Sequence, residues 1–293
     1  MKSDDFRIRD PFVLLDGGLY YLYESTAGGG PLGVSVRTSR DLADWSAPRQ
    51  VMQVPSGARC TAVWAPEVHR HAGRYYLFTT LTQERGVRPV EALSPEAKPE
   101  NLVPRGTWGF VADSPEGPFL PVKEGPLPPQ EHMTLDGTLF VEDGIPYMVY
   151  CHEWCQTGNG LMEYAPMTPE LDGFTAPPRR LFDARGAMDG ARAVTDGPFF
   201  LRSQHGPALF MIWSNFIEGY GYCVLWRRSE SGRLAGPWSK DALLFCGNGG
   251  HGMLFQALDG RTYLPLHQPN NSPMERMKLF EVNEDGTQLT CKQ

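Results

Sequence analysis

Five times along the chain a strand, a turn and a second strand recur, opened three times by Asp, once by Ala and once by His. The segments are Asp10–Tyr23, Ala65–Phe78, Asp136–Val149, Asp196–Phe210 and His251–Leu264, with starts 55, 71, 60 and 55 residues apart. Most turn through a glycine, as a tight hairpin requires, and four have an aromatic-rich second strand. A third strand follows in several units, at Gly33–Ser39, Gly109–Ser114 and Tyr222–Ser229, and three units then close on an aromatic: Trp45, Phe119 and Trp238. A repeat of this length carrying about four strands is the unit of a propeller blade. The sequence therefore predicts an all-β fold, a five-bladed β-propeller forming one domain over residues 1–293. A β-sandwich with coincidental hairpins is the competing reading, but sandwiches do not repeat their opening residues.

Composition agrees. The 32 glycines and 26 prolines are spread evenly, which suits short strands joined by turns rather than helices. A hydrophobic content of 41% supports a sizeable core. The net charge of -7, with no basic patch, argues against nucleic acid as a partner. No apolar run is long enough to span a bilayer, so no membrane partner is expected. Met1–Phe6 has no apolar leader core, so the chain as it stands is expected in the cytoplasm, or in a secreted or periplasmic location if a leader has been removed. The six cysteines, at 60, 151, 155, 223, 246 and 291, show neither a CxxC pair nor a zinc spacing and read as free thiols. Within Cys151–Cys155, strand alternation sets His152 on the opposite face from Cys151, Glu153 and Cys155, which speaks against a metal site there.

In a propeller the first residue of each innermost strand lies at one mouth of the central channel. Here those residues are Asp10, Ala65, Asp136, Asp196 and His251. Carboxylates held close disfavour one another's ionisation, a cost tolerated where a shifted pKa serves chemistry. Asp-Gly is also a common turn marker, and Asp16-Gly17, Asp143-Gly144 and Asp259-Gly260 fit that role between strands. Asp136-Gly137 and Asp196-Gly197 precede a strand instead. Two carboxylates flanking a bond, one protonated and one ionised, are the usual means of glycoside hydrolysis, and a third can tune the acid. Trp64, Trp154, Trp213 and Phe216 flank these positions and are candidate platforms for sugar rings, Trp64 and Trp154 more so than the other two. His267, ending the second strand of the last unit, is expected near the same mouth.

Arg9-Asp10-Pro11-Phe12, Trp64-Ala65-Pro66-Glu67, Asp136-Gly137-Thr138, Cys151-His152-Glu153-Trp154, Thr195-Asp196-Gly197-Pro198 and Gly249-Gly250-His251-Gly252 together resemble glycoside hydrolase family 43. The resemblance runs from about residue 8 to about residue 270 and rests on the order and phase of the motifs. It implies an inverting hydrolase of arabinose- or xylose-containing oligo- and polysaccharides, with Asp10 as general base and Asp136 as pKa modulator. The family's general acid is usually a Glu in Glu-Gly-Pro, where this chain has Asp196. Three outcomes stay open: Asp196 as the acid, Glu153 as the acid, or a propeller that binds carbohydrate without cleaving it. The resemblance also gives His251 a role in holding an ion or water, often calcium, on the axis. No cofactor is required by the chemistry itself, and a structural Ca2+ is the one ion to consider. Related five-bladed enzymes act on fructans with retention, and the anomer released separates them. The Pro-rich stretch at about 82–107 is expected to wall the pocket.

Overall fold

A computed structural model describes residues 1–26 and 31–292. Five four-stranded antiparallel sheets follow one another along the chain, each a simple meander. The first contains β1 (Phe12–Asp16), β2 (Leu19–Ser25), β3 (Gly33–Ser39) and β4 (Arg49–Gln53). The second contains β5 (Cys60–His71), β6 (Arg74–Gln83), β7 (Arg105–Ala112) and β8 (Leu120–Pro121). The third contains β9 (Thr134–Glu142), β10 (Ile145–His152), β11 (Leu161–Pro166) and β12 (Arg179–Asp183), with a one-turn helix α1 (Trp154–Thr157) after β10. The fourth contains β13 (Asp196–Arg202), β14 (Leu209–Ile217), β15 (Gly221–Ser229) and β16 (Ala242–Cys246). The fifth contains β17 (Phe255–Gln256), β18 (Thr262–Gln268), β19 (Arg276–Glu284) and β20 (Leu289–Lys292). These are the five blades of a β-propeller. Among the described residues no helix is long and apolar enough to cross a membrane.

Adjacent blades pack face to face through buried aromatic and aliphatic side chains. Phe12 of blade one meets Phe199 of blade four edge-on across the axis, at 6.0 Å. Tyr23, Phe78, Tyr150, Phe210 and Trp213 are fully buried on the second strands, which explains the aromatic content of those strands in the sequence. Each such side chain contributes about 1.5–3 kcal/mol by leaving water. Trp45 and Phe119 are buried where the outer hairpins close, while Trp238 packs against Phe200 at 6.3 Å.

Because every sheet is built from consecutive strands, no strand among the described residues crosses from the first blade to the last. Side chains close the ring instead. Glu275, buried before β19, accepts from Arg7 Nε (3.0 Å) and Arg9 Nη1 (3.2 Å), and Lys278 Nζ donates to Asp4 Oδ1 (2.7 Å). The Ile8 amide adds a backbone bond to Glu275 O (3.3 Å).

The 84–104 stretch does not wall the axial pocket. It folds outward onto α1, where Leu93 N–H and Lys98 N–H donate to Gln156 O and Cys155 O (2.9 and 2.7 Å). It therefore braces the helix that carries Trp154. All six cysteines are free.

Candidate active site

The residue opening each blade adopts the left-handed conformation. The φ angles are 51° at Asp10, 45° at Ala65, 54° at Asp136, 48° at Gly197 and 51° at His251. Four of the five are not glycine, and such strain costs on the order of 1 kcal/mol or more at each. It is compensated by a repeated bond. Asp136 N–H donates to Thr80 Oγ1 (2.9 Å), His251 N–H to Ser214 Oγ (2.9 Å) and Asp10 N–H to His267 Nδ1 (3.3 Å). Thr80, Ser214 and His267 occupy one repeat position, each paired across its own blade with the residue just before that blade's opener. In blade three this position is Cys151, opposite Leu135. It supplies no oxygen, and the Gly197 N–H donates instead to Asp136 Oδ2 (3.1 Å).

This geometry corrects the phase read from the sequence. The opener of blade four is Gly197, and Asp196 stands one residue earlier. Asp196 still reaches the axis, from a different approach. His251 Nδ1 lies 3.4 Å from Asp10 Oδ1, 3.6 Å from Asp196 Oδ1 and 3.9 Å from Asp136 Oδ2, so all three carboxylates gather around one ring nitrogen. Their side-chain exposures differ: 3% for Asp136, 11% for Asp10 and 23% for Asp196.

Environment separates their charges. Burial raises the Asp10 carboxyl, but His251, His267 and Arg9 outweigh it and hold its pKa well below the ordinary carboxylate range. Burial first, and then the neighbouring Asp196 and Asp10 carboxylates, push Asp136 well above that range. The two carboxyls are thus biased in opposite directions, Asp136 toward holding a proton and Asp10 toward ionisation. Tyr222 Oη donates to Asp196 Oδ2, and burial drives the Tyr222 phenol up, so it remains a donor.

A cleft of about 360 Å³ opens above these groups. Its floor is Asp10, Asp136, Asp196 and His251, and Trp64, Trp154, Glu153 and the Arg7/Arg9/Glu275 cluster form its walls. Trp64 is 38% exposed, and the Arg105 guanidinium stacks on its ring at 4.1 Å. Arg105 also pairs with Glu153. Burial raises the Glu153 carboxyl, with Arg105 pulling the other way.

Three residues singled out in the sequence lie elsewhere. Trp213 is fully buried in the core, with its Nε1 donating to Asp241 (2.7 Å), because its strand parity turns it away from the axis. Phe216 packs on Tyr222 at 4.8 Å and does not line the cleft. His267 is buried behind Asp10, its Nδ1 accepting the Asp10 N–H and lying 3.2 Å from Asp10 Oδ1, and does not face the cleft. Arg7, Arg105, Tyr222 and Glu275 join the site without any local signal; only their long-range partners bring them there, whereas Arg9 adjoins Asp10 in the chain.

The donor set beneath His251 suits a resident calcium poorly. Calcium takes six to eight oxygens. Beneath His251 the channel holds a space of about 10 Å³, and besides Asp10 its only carboxylate is Glu67, which His69 Nε2 engages at 2.9 Å. A space of that size is close to what one water needs.

Three carboxylates of graded exposure, set together under a sugar-sized cleft at the mouth of a five-bladed ring, are the kind of arrangement that glycoside hydrolysis uses. Residues 5–288 match glycosyl hydrolases family 43, and the chain belongs to that family. It is 31% identical to an endo-arabinase from Bacteroides thetaiotaomicron, with a TM-score of 0.83 and 97% of each chain covered. An endo-1,4-beta-xylanase from the same organism shares the fold at 22% identity and a TM-score of 0.76, over 100% of this chain and 96% of its own. An extracellular exo-alpha-(1->5)-L-arabinofuranosidase from Streptomyces chartreusis is 26% identical over 226 residues, 71% of this chain; the match spans 62% of that relative's length.

Proposed function

We propose that the protein hydrolyses arabinofuranosyl linkages in arabinose-containing glycans with inversion, using Asp10 as general base, Asp196 as general acid and Asp136 as modulator. The graded exposure of the three carboxylates carries this reading. Asp196, the most open, is the one a glycosidic oxygen can approach, and Asp136, the most closed, is the one fit only to tune its neighbours. The arabinan-directed names of two of the relatives support the sugar.

Trp64 and Trp154 would pack against the sugar's apolar face and set the anomeric carbon over the floor. Asp10, held ionised by His251, His267 and Arg9, takes a proton from a water that attacks the anomeric carbon. Asp196 gives a proton to the departing oxygen. Burial and the neighbouring carboxylates hold the Asp136 pKa well above the ordinary carboxylate range, which favours a proton on the floor beside Asp196. Asp196 is one methylene shorter than a glutamate would be, and its placement one residue ahead of the left-handed Gly197 gives it a different approach to the cleft. Glu153 is the weaker candidate for the acid, because protonating it sacrifices its pair with Arg105. No step calls for an ion.

The test is turnover of aryl arabinofuranosides and arabino-oligosaccharides by wild type, Asp196→Asn and Glu153→Gln, with the released anomer read by NMR. Asp196→Asn should lose activity on poor leaving groups and recover it on activated ones. The same pattern in Glu153→Gln alone would transfer the role to Glu153. Saturable sugar binding with no cleavage of any substrate would make the site a recognition site.

A further inference from the structure

Outside the cleft, blade three carries a second cluster of polar groups, and nothing in the chemistry above uses it. We propose that His132, His152 and Glu163 form a binding site for a divalent first-row cation of the zinc class. His132 lies just before β9, His152 ends β10 and Glu163 is on β11. Their candidate donor atoms all lie within 4.8 Å of one another.

The hydrogen bonds of Gln156 fix which atom of His152 is free. Gln156 Nε2 donates to Glu91 O (2.9 Å) and Glu131 O (2.8 Å), so its Oε1 must be the acceptor. That oxygen receives Met133 N–H (2.6 Å) and faces His152 Nε2 at 2.9 Å, so Nε2 carries the hydrogen. In the neutral ring Nδ1 then bears a lone pair, and it points at Glu163 Oε2, 3.3 Å away. His152 is only 2% exposed. His152 Nδ1, His132 Nδ1 and Glu163 Oε2 are all buried without a hydrogen-bond partner, and the Tyr150 hydroxyl lies beside Glu163. Several unpaired buried polar atoms in one place cost about 1–3 kcal/mol each. A proton on His152 would satisfy Glu163 but leave His132 Nδ1 unmet, with a charged ring stacked on the His132 ring at 4.3 Å. A cation satisfies all three donors at once.

Ligand chemistry selects the ion. Two imidazoles and one carboxylate suit zinc, which binds both at about 2.0–2.2 Å, whereas calcium and magnesium ask for oxygen alone. Gln156 plays the outer part that a metal-bound histidine usually has, accepting from its second ring nitrogen. The His132 and His152 rings lie 22° apart, so closure around an ion requires His132 to tilt. His132 lies in the stretch between β8 and β9 and is partly exposed, which allows both the tilt and entry of the ion. Because Glu153 and Trp154 follow His152 directly, an ion here would brace one wall of the cleft without touching substrate.

The experiment uses the full chain, stripped with a chelator and titrated with Zn2+ against a chromogenic competitor, beside His132→Ala and Glu163→Gln. Wild type should bind one equivalent, and each variant should bind at least ~100-fold more weakly, a loss beyond what an outer partner alone costs. Zn2+ should raise the Tm of wild type and leave both variants unmoved, while Tm in chelator shows that the variants still fold. The Co2+ form should lack thiolate charge-transfer absorption, which excludes the six free cysteines as the site. Absence of a saturable equivalent in wild type, or binding by either variant as tight as that of wild type, overturns the proposal.

Discussion

Blades two and three open on nearly the same backbone, φ 45° at Ala65 and 54° at Asp136, yet one presents a methyl group at the axis and the other a carboxyl. The repeat supplies the geometry and does not care what side chain it carries. Chemistry enters where an acidic residue accepts a strained position and burial among its own kind. Blade two shows what the fold needs at an opener, and blade three shows what is added to that need.

The strongest way to break this comparison is to make blade three resemble blade two. Asp136→Ala should lower kcat/KM by about 10²–10⁴-fold while changing unfolding free energy by no more than ~1 kcal/mol, since a lost bond to the Gly197 N–H is offset by removal of a carboxyl crowded by others. Comparable losses in urea-melt stability would mean the carboxyl serves the fold.

The pH–rate profile sharpens it. The Asp10 pKa is depressed, so the acid limb should fall below the ordinary carboxylate range; the Asp136 pKa is raised well above that range, so the basic limb should lie above it. In Asp136→Ala the basic limb should move down.

At the ring closure, Glu275→Gln should cost about 2 kcal/mol by weakening the charged bonds to Arg7 and Arg9. Although burial raises the Glu275 carboxyl, the two arginines outweigh it and hold it at about 2. Its contribution is therefore present above the unfolded value near ~4.3 and is lost as pH falls from there toward 2. Denaturant midpoints measured between those limits should converge for wild type and variant.

The smallest effect belongs to blade two. Ala65→Gly relieves a left-handed alanine and should raise stability by ~1 kcal/mol or less, with turnover unchanged. A loss of stability would show that the Ala65 methyl packs against its neighbours more than it strains the chain.

The blades, their order and three of the axial residues were legible because hairpin period and opening residue repeat together. Asp10, Asp136 and His251 followed from that phase. Asp196 was placed one position out, although Pro11, Pro66 and Pro198 each follow an opener and would have aligned Gly197 correctly. Trp213 was misread by strand parity: Ser214, its neighbour, is the residue that meets the axis. Glu275 and Arg105 were beyond reach, since a lone charge carries no local mark of the partner it meets across the ring. The same limit hid the His132–His152–Glu163 cluster, whose members come from three separate segments.

The closure at Arg7, Arg9 and Glu275 also walls the cleft. A sugar lodged there touches both the first and the last blade, and so acts as a removable rivet across the one joint of the ring that no chain connection crosses. Occupancy should then suppress opening at that joint more than at any other, and amide exchange at Ile8 and around Glu275 should slow with bound ligand before the inner strands of blades two and three respond.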